Sequence, residues 1–277
     1  MRYDAAGIAL LSTRTREAPL DFERIRLEID DHTAVVTVDR PEVRNALDTG
    51  TVHEIHAALD AIQADRTIRV VIVTGAGEKV FVAGADVNTL LGRTNRETLD
   101  AANNRLFSRL EAFALPTIAA VNGFALGGGL EFALACDLRI AADNAKLGLP
   151  ETGLGIIPGA GGTHRLPRLV GIGVAKDMIL AGTILDAQDA LRVGLVNKVV
   201  PGRKLMAEAR EYADRIAKRA PVATELAKMS VNAAGNVPVE FGMMFDRVAQ
   251  TVLNATADKK EGMTAFLEKR KPDFRGE

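Results

Sequence analysis

Residues 70–74, Val-Val-Ile-Val-Thr, leave a folding chain few choices. The run is continuous rather than alternating in hydropathy, so both of its faces must be buried. That is the situation of a central strand in a parallel sheet covered by helices. A Gly-Ala-Gly turn at 75–77 ends it, and a second short apolar segment follows at 80–82. The pattern returns downstream: Pro116 precedes a strand predicted at 117–121, and short strands are expected at 138–142 and 145–148. Upstream, residues 23–39 read as two strands around a turn at Asp30 and Asp31, with Pro41 ending the second. Helices fall between these strands. Asp48 is placed to cap one that runs to about Gln63 and carries Val52, Ile55, Leu59 and Ile62 on one face. Others are predicted over 103–114 and 128–136. From about residue 205 the texture changes to helices alone, at 205–219, 222–234, 239–254 and 260–270. The chain therefore reads as an α/β core with a helical C-terminal appendage.

The charge pattern argues against several function classes. A net charge of −1 over 277 residues gives no electrostatic footprint for nucleic acid or an anionic membrane. Cys136 is the only cysteine, so neither an intrachain disulfide nor a cysteine zinc site is available, and its apolar surroundings make it a small buried hydrophobe. The N-terminal apolar run, 5–11, is too short to span a bilayer and weak as a secretory signal, so residues 1–20 read as a loosely held tail and the expected location is cytoplasmic. His53 and His56 lie three apart on a predicted helix, but no third ligand accompanies them and no metal is expected.

Among the glycine motifs, 70–77 lacks the third glycine and the helix of a dinucleotide-binding turn, and reads as a turn between strands. Neither a GxSxG nucleophile elbow nor a GxxxxGK[ST] phosphate loop occurs. The stretch at 125–137, ALGGGLEFALACD, is more informative. Triple glycine is costly to order, and a lone acid among Leu, Phe and Ala is costly to bury. The N–H groups of Gly128 and Gly129 would sit at a helix N-terminus, where the macrodipole favours negative charge. Glycine-rich residues 81–86, FVAGAD, offer a second set of backbone donors. Paired N–H donors are what a developing oxyanion requires. Two carboxylates, Glu131 and Glu151, stand near these turns with apolar neighbours, a setting in which a carboxyl group exchanges protons near neutral pH.

Taken together, RPEVRNAL at 40–47, FVAGAD at 81–86, AVNGFALGGGLE at 120–131, Cys136-Asp137, Leu149-Pro150-Glu151, IPGAGGT at 157–163 and EGMTAFLEKR at 261–270 resemble the crotonase superfamily, and within it the enoyl-CoA hydratases. The resemblance runs from about residue 22 to 274 and implies a spiral of ββα turns with a C-terminal helical trimerisation region. The chain then divides into a tail (1–20), a spiral core with the acyl-CoA site (21–204) and an oligomerisation region (205–277). By the same resemblance, backbone N–H groups of Ala85 and Gly128 form an oxyanion hole around an acyl-CoA thioester. Glu131 and Glu151 hold a water over the C2–C3 double bond, and Ala83, Asp86, Arg44 and Lys269 contact substrate or CoA. Lys269 corresponds to a lysine that reaches CoA in a neighbouring subunit of some relatives. The implied activity is hydration of a trans-2-enoyl-CoA to a 3-hydroxyacyl-CoA, in fatty-acid β-oxidation or related acyl-CoA metabolism. It needs no cofactor beyond the coenzyme A of the substrate, and the implied assembly is a homotrimer or a hexamer. A Δ3,Δ2-enoyl-CoA isomerase is the alternative within the fold, and an RNA-binding protein on the same fold is the alternative from another class. Three departures from the hydratase pattern stand out: Leu149 where Gln is frequent, His164 in place of another Gln, and Glu42 where a basic residue is common.

Overall fold

The computed structural model describes residues 16–17, 21–84 and 90–277. Its strands are β1 (Arg16–Glu17), β2 (Ile25–Asp30), β3 (Thr33–Val38), β4 (Val70–Gly75), β5 (Val80–Val82), β6 (Thr117–Val121), β7 (Phe124–Leu126), β8 (Leu138–Ala142), β9 (Lys146–Gly148), β10 (Leu185–Asp186) and β11 (Lys198–Val200). They form two sheets. Seven strands run in the order β1-β2-β3-β4-β6-β8-β11, and four in the order β10-β9-β7-β5. The repeating unit is visible in that order: β4, β6 and β8 enter the large sheet, and the short strand after each, β5, β7 and β9, enters the small one. The pairs β4–β6–β8 and β5–β7–β9 are all parallel. Each turn of chain thus lays one strand on each sheet before a helix returns it, which is the crotonase spiral expected above.

The period-2 geometry of a strand explains the continuous apolar runs. Val71 and Val73 of β4 face a core that includes Ile55, Leu59 and Ile62 of the helix Thr49–Ala64, whose N-cap Asp48 accepts from Thr51 N. The same core holds Phe81, Phe107 and Phe132, with ring centroids 6.0 and 5.4 Å apart. Val70 and Ile72 face the other way, together with Ile118 and Ile140. That outer face is covered by the helix Leu205–Ala217, which presents Leu205, Ala209, Ala213 and Ala217 at a spacing of four. Alanine at three of those positions lets the helix lie close on the sheet. The first helix of the 205–277 stretch is therefore part of the core by packing.

The later helices differ. Pro221–Ala233 buries none of its residues, Val239–Asn254 buries only Ala249, and Ala257–Leu267 buries Asp258 and Ala265. The first of them is fastened to the core by Lys228, which pairs with Asp137 at 2.8 Å and donates to Leu115 O. Among the described residues, no helix is long and apolar enough to cross a membrane.

The turn from β4 to β5 is held by two amide side chains. Asn45, fully buried, donates from Nδ2 to the carbonyls of Ala76, Val80 and Phe81 and accepts from Arg40 N. Asn122 donates to Gly75 O and Gly77 O at 2.9 and 2.7 Å. The glycines at 75 and 77 are accordingly structural, as expected from the missing dinucleotide fingerprint.

Candidate active site

Gly127, at φ 55° and ψ −129°, turns the chain out of β7 and is the N-cap of the helix Gly128–Leu134. Its N–H donates to Gly148 O at the end of β9, and its carbonyl accepts from Glu131 N. A helix start leaves its first N–H groups without intrahelical acceptors, so Gly128 offers a donor by construction. Gly129 is pressed against β5: a Cβ on it would lie 1.7 Å from Val82 O. The turn after β5 approaches from the same side. A Cβ on Gly84 would sit 2.9 Å from Gly128 N, and Gly84 has φ 78°. Ala83 N donates to Arg44 O, and Gly84 O accepts from Leu47 N, so the 44–47 segment pins this turn. Gly84 thus ends against Gly128, and the next residue in the chain is Ala85. Ala85 and Asp86 lie outside the described residues.

Glu131, in the first turn of the same helix, is 3% exposed. Its Oε1 accepts two backbone N–H groups, from Ala160 and Gly162, each at 2.8 Å. Gly162 opens the helix Gly162–Lys176, so Glu131 sits at the positive ends of two helices. Burial raises its pKa, while the two amide bonds and the charge of Arg165 act against the rise. Glu151 follows Leu149 and Pro150 at the start of a 3₁₀ turn, Glu151–Leu154. Its Oε1 is 3.3 Å from where a Cβ of Gly127 would be, which sets it against the same glycine turn. Its Oε2 is buried and has no hydrogen-bond partner among the described residues. Burial pushes its pKa up to about 7. A bond to its own backbone opposes the rise, and the neighbouring charge of Glu131 adds to it. Two carboxyls thus converge on one turn with unequal support: one cradled by amides, the other left nearly bare. That pushes their proton affinities apart, the condition for one to act as base and the other as acid.

The structure brings Glu131, Glu151, Gly128, Ala83 and the backbone of Arg44 together. The Arg44 side chain is exposed, as is that of Glu42. Lys269 lies in the exposed left-handed turn that follows the helix Ala257–Leu267. Leu149 is fully buried, its Cδ1 packed toward Gly162, and so contributes nothing polar beside Glu151. His164 caps nothing in the site and lies in the first turn of the helix Gly162–Lys176. His56 rests against Arg109, and no metal-binding cluster exists among the described residues. Cys136 is buried, and its thiol is pushed up to about 12 by that burial. Sequence reasoning missed the amides of Ala160 and Gly162. The glycine-rich stretch at 159–162 was their only mark, because a backbone donor has no residue type.

The family model described as Enoyl-CoA hydratase/isomerase matches residues 28–277. A short-chain-enoyl-CoA hydratase of Clostridium acetobutylicum is 46% identical over 258 residues, covering 91% of this chain and 97% of that protein. A crotonyl-CoA hydratase of Syntrophomonas wolfei is 46% identical over 255 residues, covering 91% and 98%. Among solved structures, an enoyl-CoA hydratase from Bacillus anthracis superposes with a TM-score of 0.89 at 41% identity, covering 92% of this chain and all of that one.

Proposed function

The chain belongs to the enoyl-CoA hydratase/isomerase family and is an enzyme that hydrates enoyl-CoA thioesters; we propose that Glu131 and Glu151 are the acid–base pair of that reaction. The observation that carries this reading is the asymmetry of the pair. Two amides hold Glu131 and favour its carboxylate, whereas Glu151 has a bare buried oxygen and a pKa pushed up to about 7. Glu131 takes a proton from water as the water oxygen bonds to C3. The electron pair of the double bond moves onto the thioester, and the oxygen that becomes negative is met by the N–H groups of Gly128 and Ala85. Glu151 then delivers its proton to C2, giving the 3-hydroxyacyl-CoA. The proton gained by Glu131 passes to solvent or to Glu151 and resets the pair. Both proton transfers are supplied by the two carboxyls, so the reaction as written draws on no further cofactor. Ala83, Asp86, Arg44 and, from a neighbouring copy, Lys269 are proposed contacts to the CoA ester.

A short-chain substrate is proposed, supported by the relatives named for short-chain and crotonyl thioesters. The test is the ultraviolet absorbance of crotonyl-CoA mixed with the enzyme: the conjugated enoyl-thioester band should disappear rapidly, and a persisting band overturns the substrate assignment. The pH profile adds a sharper expectation. An acid of pKa about 7 must be protonated in the free enzyme to work. Hence kcat/KM should fall roughly tenfold per pH unit above that value. A flat profile from pH 6 to 9 is incompatible with Glu151 as the acid.

We also propose a homotrimer, or a pair of trimers. The helices from residue 221 onward leave Met229, Val231, Phe241, Met243, Phe266 and Leu267 exposed, a large apolar area for a lone chain. Light scattering coupled to gel filtration should give three or six times 29.6 kDa; a monomer peak sinks this.

A further inference from the structure

Arg165 lies in the first turn of the helix Gly162–Lys176, is 9% exposed, and touches neither glutamate by a hydrogen bond in the described structure. Three of its N–H groups are nevertheless committed. Nη1 donates to Ala160 O at 2.8 Å, while Nε and Nη2 both donate to Glu111 Oε2, at 3.1 and 2.8 Å. Ala160 O belongs to the peptide between the two that donate to Glu131, those ending in the N–H groups of Ala160 and Gly162. Gly161 sits in the middle at φ 106°, and a Cβ there would fall 2.1 Å from Arg165 Nη1. The loop has given up a side chain at that point to let the guanidinium in. Glu111 ends the helix Ala102–Glu111, and its own carbonyl is held by Asn232 Nδ2 from the helix Pro221–Ala233.

We propose that Arg165 is a positioning residue for Glu131, acting through the Ala160 peptide, with Glu111 as its anchor. This rests on the reading of Glu131 as the base. A loop of small residues has no intrinsic reason to aim two N–H groups at one oxygen. A guanidinium anchored through Nε and Nη2 on Glu111 Oε2, and donating from Nη1 to the carbonyl between those N–H groups, removes that freedom, a task for which a lysine lacks the geometry. Misplacement of a catalytic group by about 1 Å costs roughly 100-fold, so a grip of this kind has kinetic consequences without any contact to substrate. The charged groups around Glu131 are Arg165 and Glu151, and Arg165 favours its carboxylate form. On the outer side, the Glu111–Arg165 pair borders a cavity lined by His164, Arg168, Glu225 and Lys228.

The experiment measures kcat, KM and their pH dependence for crotonyl-CoA hydration by wild type, Arg165→Met, Arg165→Lys, Glu111→Gln and Glu131→Gln, with a melting curve for each. Arg165→Met should lower kcat by about 10- to 100-fold. Its KM should change little, and its acidic limb should move to higher pH, because Glu131 loses a cation and the alignment of its donors. Arg165→Lys should return the limb toward wild type but recover kcat only in part. Glu111→Gln should lower kcat while the limb moves to lower pH, since the charge that offsets Arg165 is gone. If Arg165→Met does not fold, Glu111→Gln carries the test of the limb and Arg165→Lys that of kcat. Wild-type kcat in the Arg165 and Glu111 variants, or a lowered kcat with an unmoved limb in Arg165→Met and Glu111→Gln, overturns the proposal, the second outcome marking a purely structural role. If Glu131→Gln keeps its activity, the reading of Glu131 itself fails, an outcome distinct from the others.

Discussion

Glu131→Gln and Glu151→Gln should each lower kcat for crotonyl-CoA hydration by about 10²- to 10⁴-fold, the range supplied by a positioned acid or base. Both proteins should remain folded, for different reasons. A glutamine at 131 still offers an oxygen to the amides of Ala160 and Gly162, so the junction of the two helices keeps its bonds. What it loses is the capacity to hold a proton. A glutamine at 151 replaces a carboxyl that is half-buried, repelled by Glu131 and short of partners. That substitution should stabilise the protein at alkaline pH. The native carboxyl, with a folded pKa of about 7 against an ordinary value of 4.5, binds more protons folded than unfolded between those values. Wild-type stability therefore falls as pH rises through that window, and the variant escapes the fall. The gain in Tm of Glu151→Gln over wild type should grow from pH 4.5 to 7 and then level off, at about 2–4 °C per kcal/mol for a chain of this size. The double variant should be little slower than the worse single one, because a pair that acts as a unit cannot be lost twice. Undiminished activity in either single variant would remove that residue from the mechanism.

The architecture was legible wherever burial on two sides had to be written in side chains. β4 stood out as an unbroken apolar run closed by glycine, β6 as a strand preceded by proline, and the helix Leu205–Ala217 as the point where the texture changes to helices alone, although the small residues that seat it on the sheet were not singled out. The partition into two sheets was not legible. β5, β7 and β9 have three residues each, and nothing in so short a run says which sheet receives it. The helix Gly162–Lys176 was hidden by its own breakers: Pro167 lies inside it, and Gly171 at φ 80° kinks it. The helix Asn95–Asp100 carries a full capping box from Thr94 to Glu97 and was open to reading from that signal alone. At the site, Glu131 and Glu151 were visible as acids in apolar company, and the resemblance joined them. The difference between them was not, because it arises from two amides contributed by a loop about 30 residues away. The Glu111–Arg165 bond likewise spans 54 residues, and ordinary charged residues on two helices carry no sign of it.

Gly129→Ala should be among the most damaging single-atom additions to this chain. The new Cβ would fall 1.7 Å from Val82 O and 2.7 Å from Val82 C. These are backbone atoms of β5, a strand held by β7, so no side chain can swing aside. Either β5 or the start of the helix Gly128–Leu134 must move by more than 1 Å, through a core packed around Phe81 and Phe132. Overpacking with backbone displacement costs typically 1–3 kcal/mol and more where the contact is rigid. A loss at or above the top of that range is expected, read as a fall in Tm of about 6–12 °C or as failure to recover folded protein. Any folded fraction should also hydrate poorly, since the displaced helix start carries both the Gly128 amide and Glu131. Gly173→Ala is the matched control. It adds the same methyl group inside a helix, with nothing within 4 Å, and should be neutral or stabilising. Equal melting temperatures for the two variants would mean that the Gly129–Val82 contact is not what demands glycine there. A loss confined to Gly129→Ala would tie one glycine of the triplet to the close seating of a helix on a strand, leaving Gly127 for the turn and Gly128 for the donor.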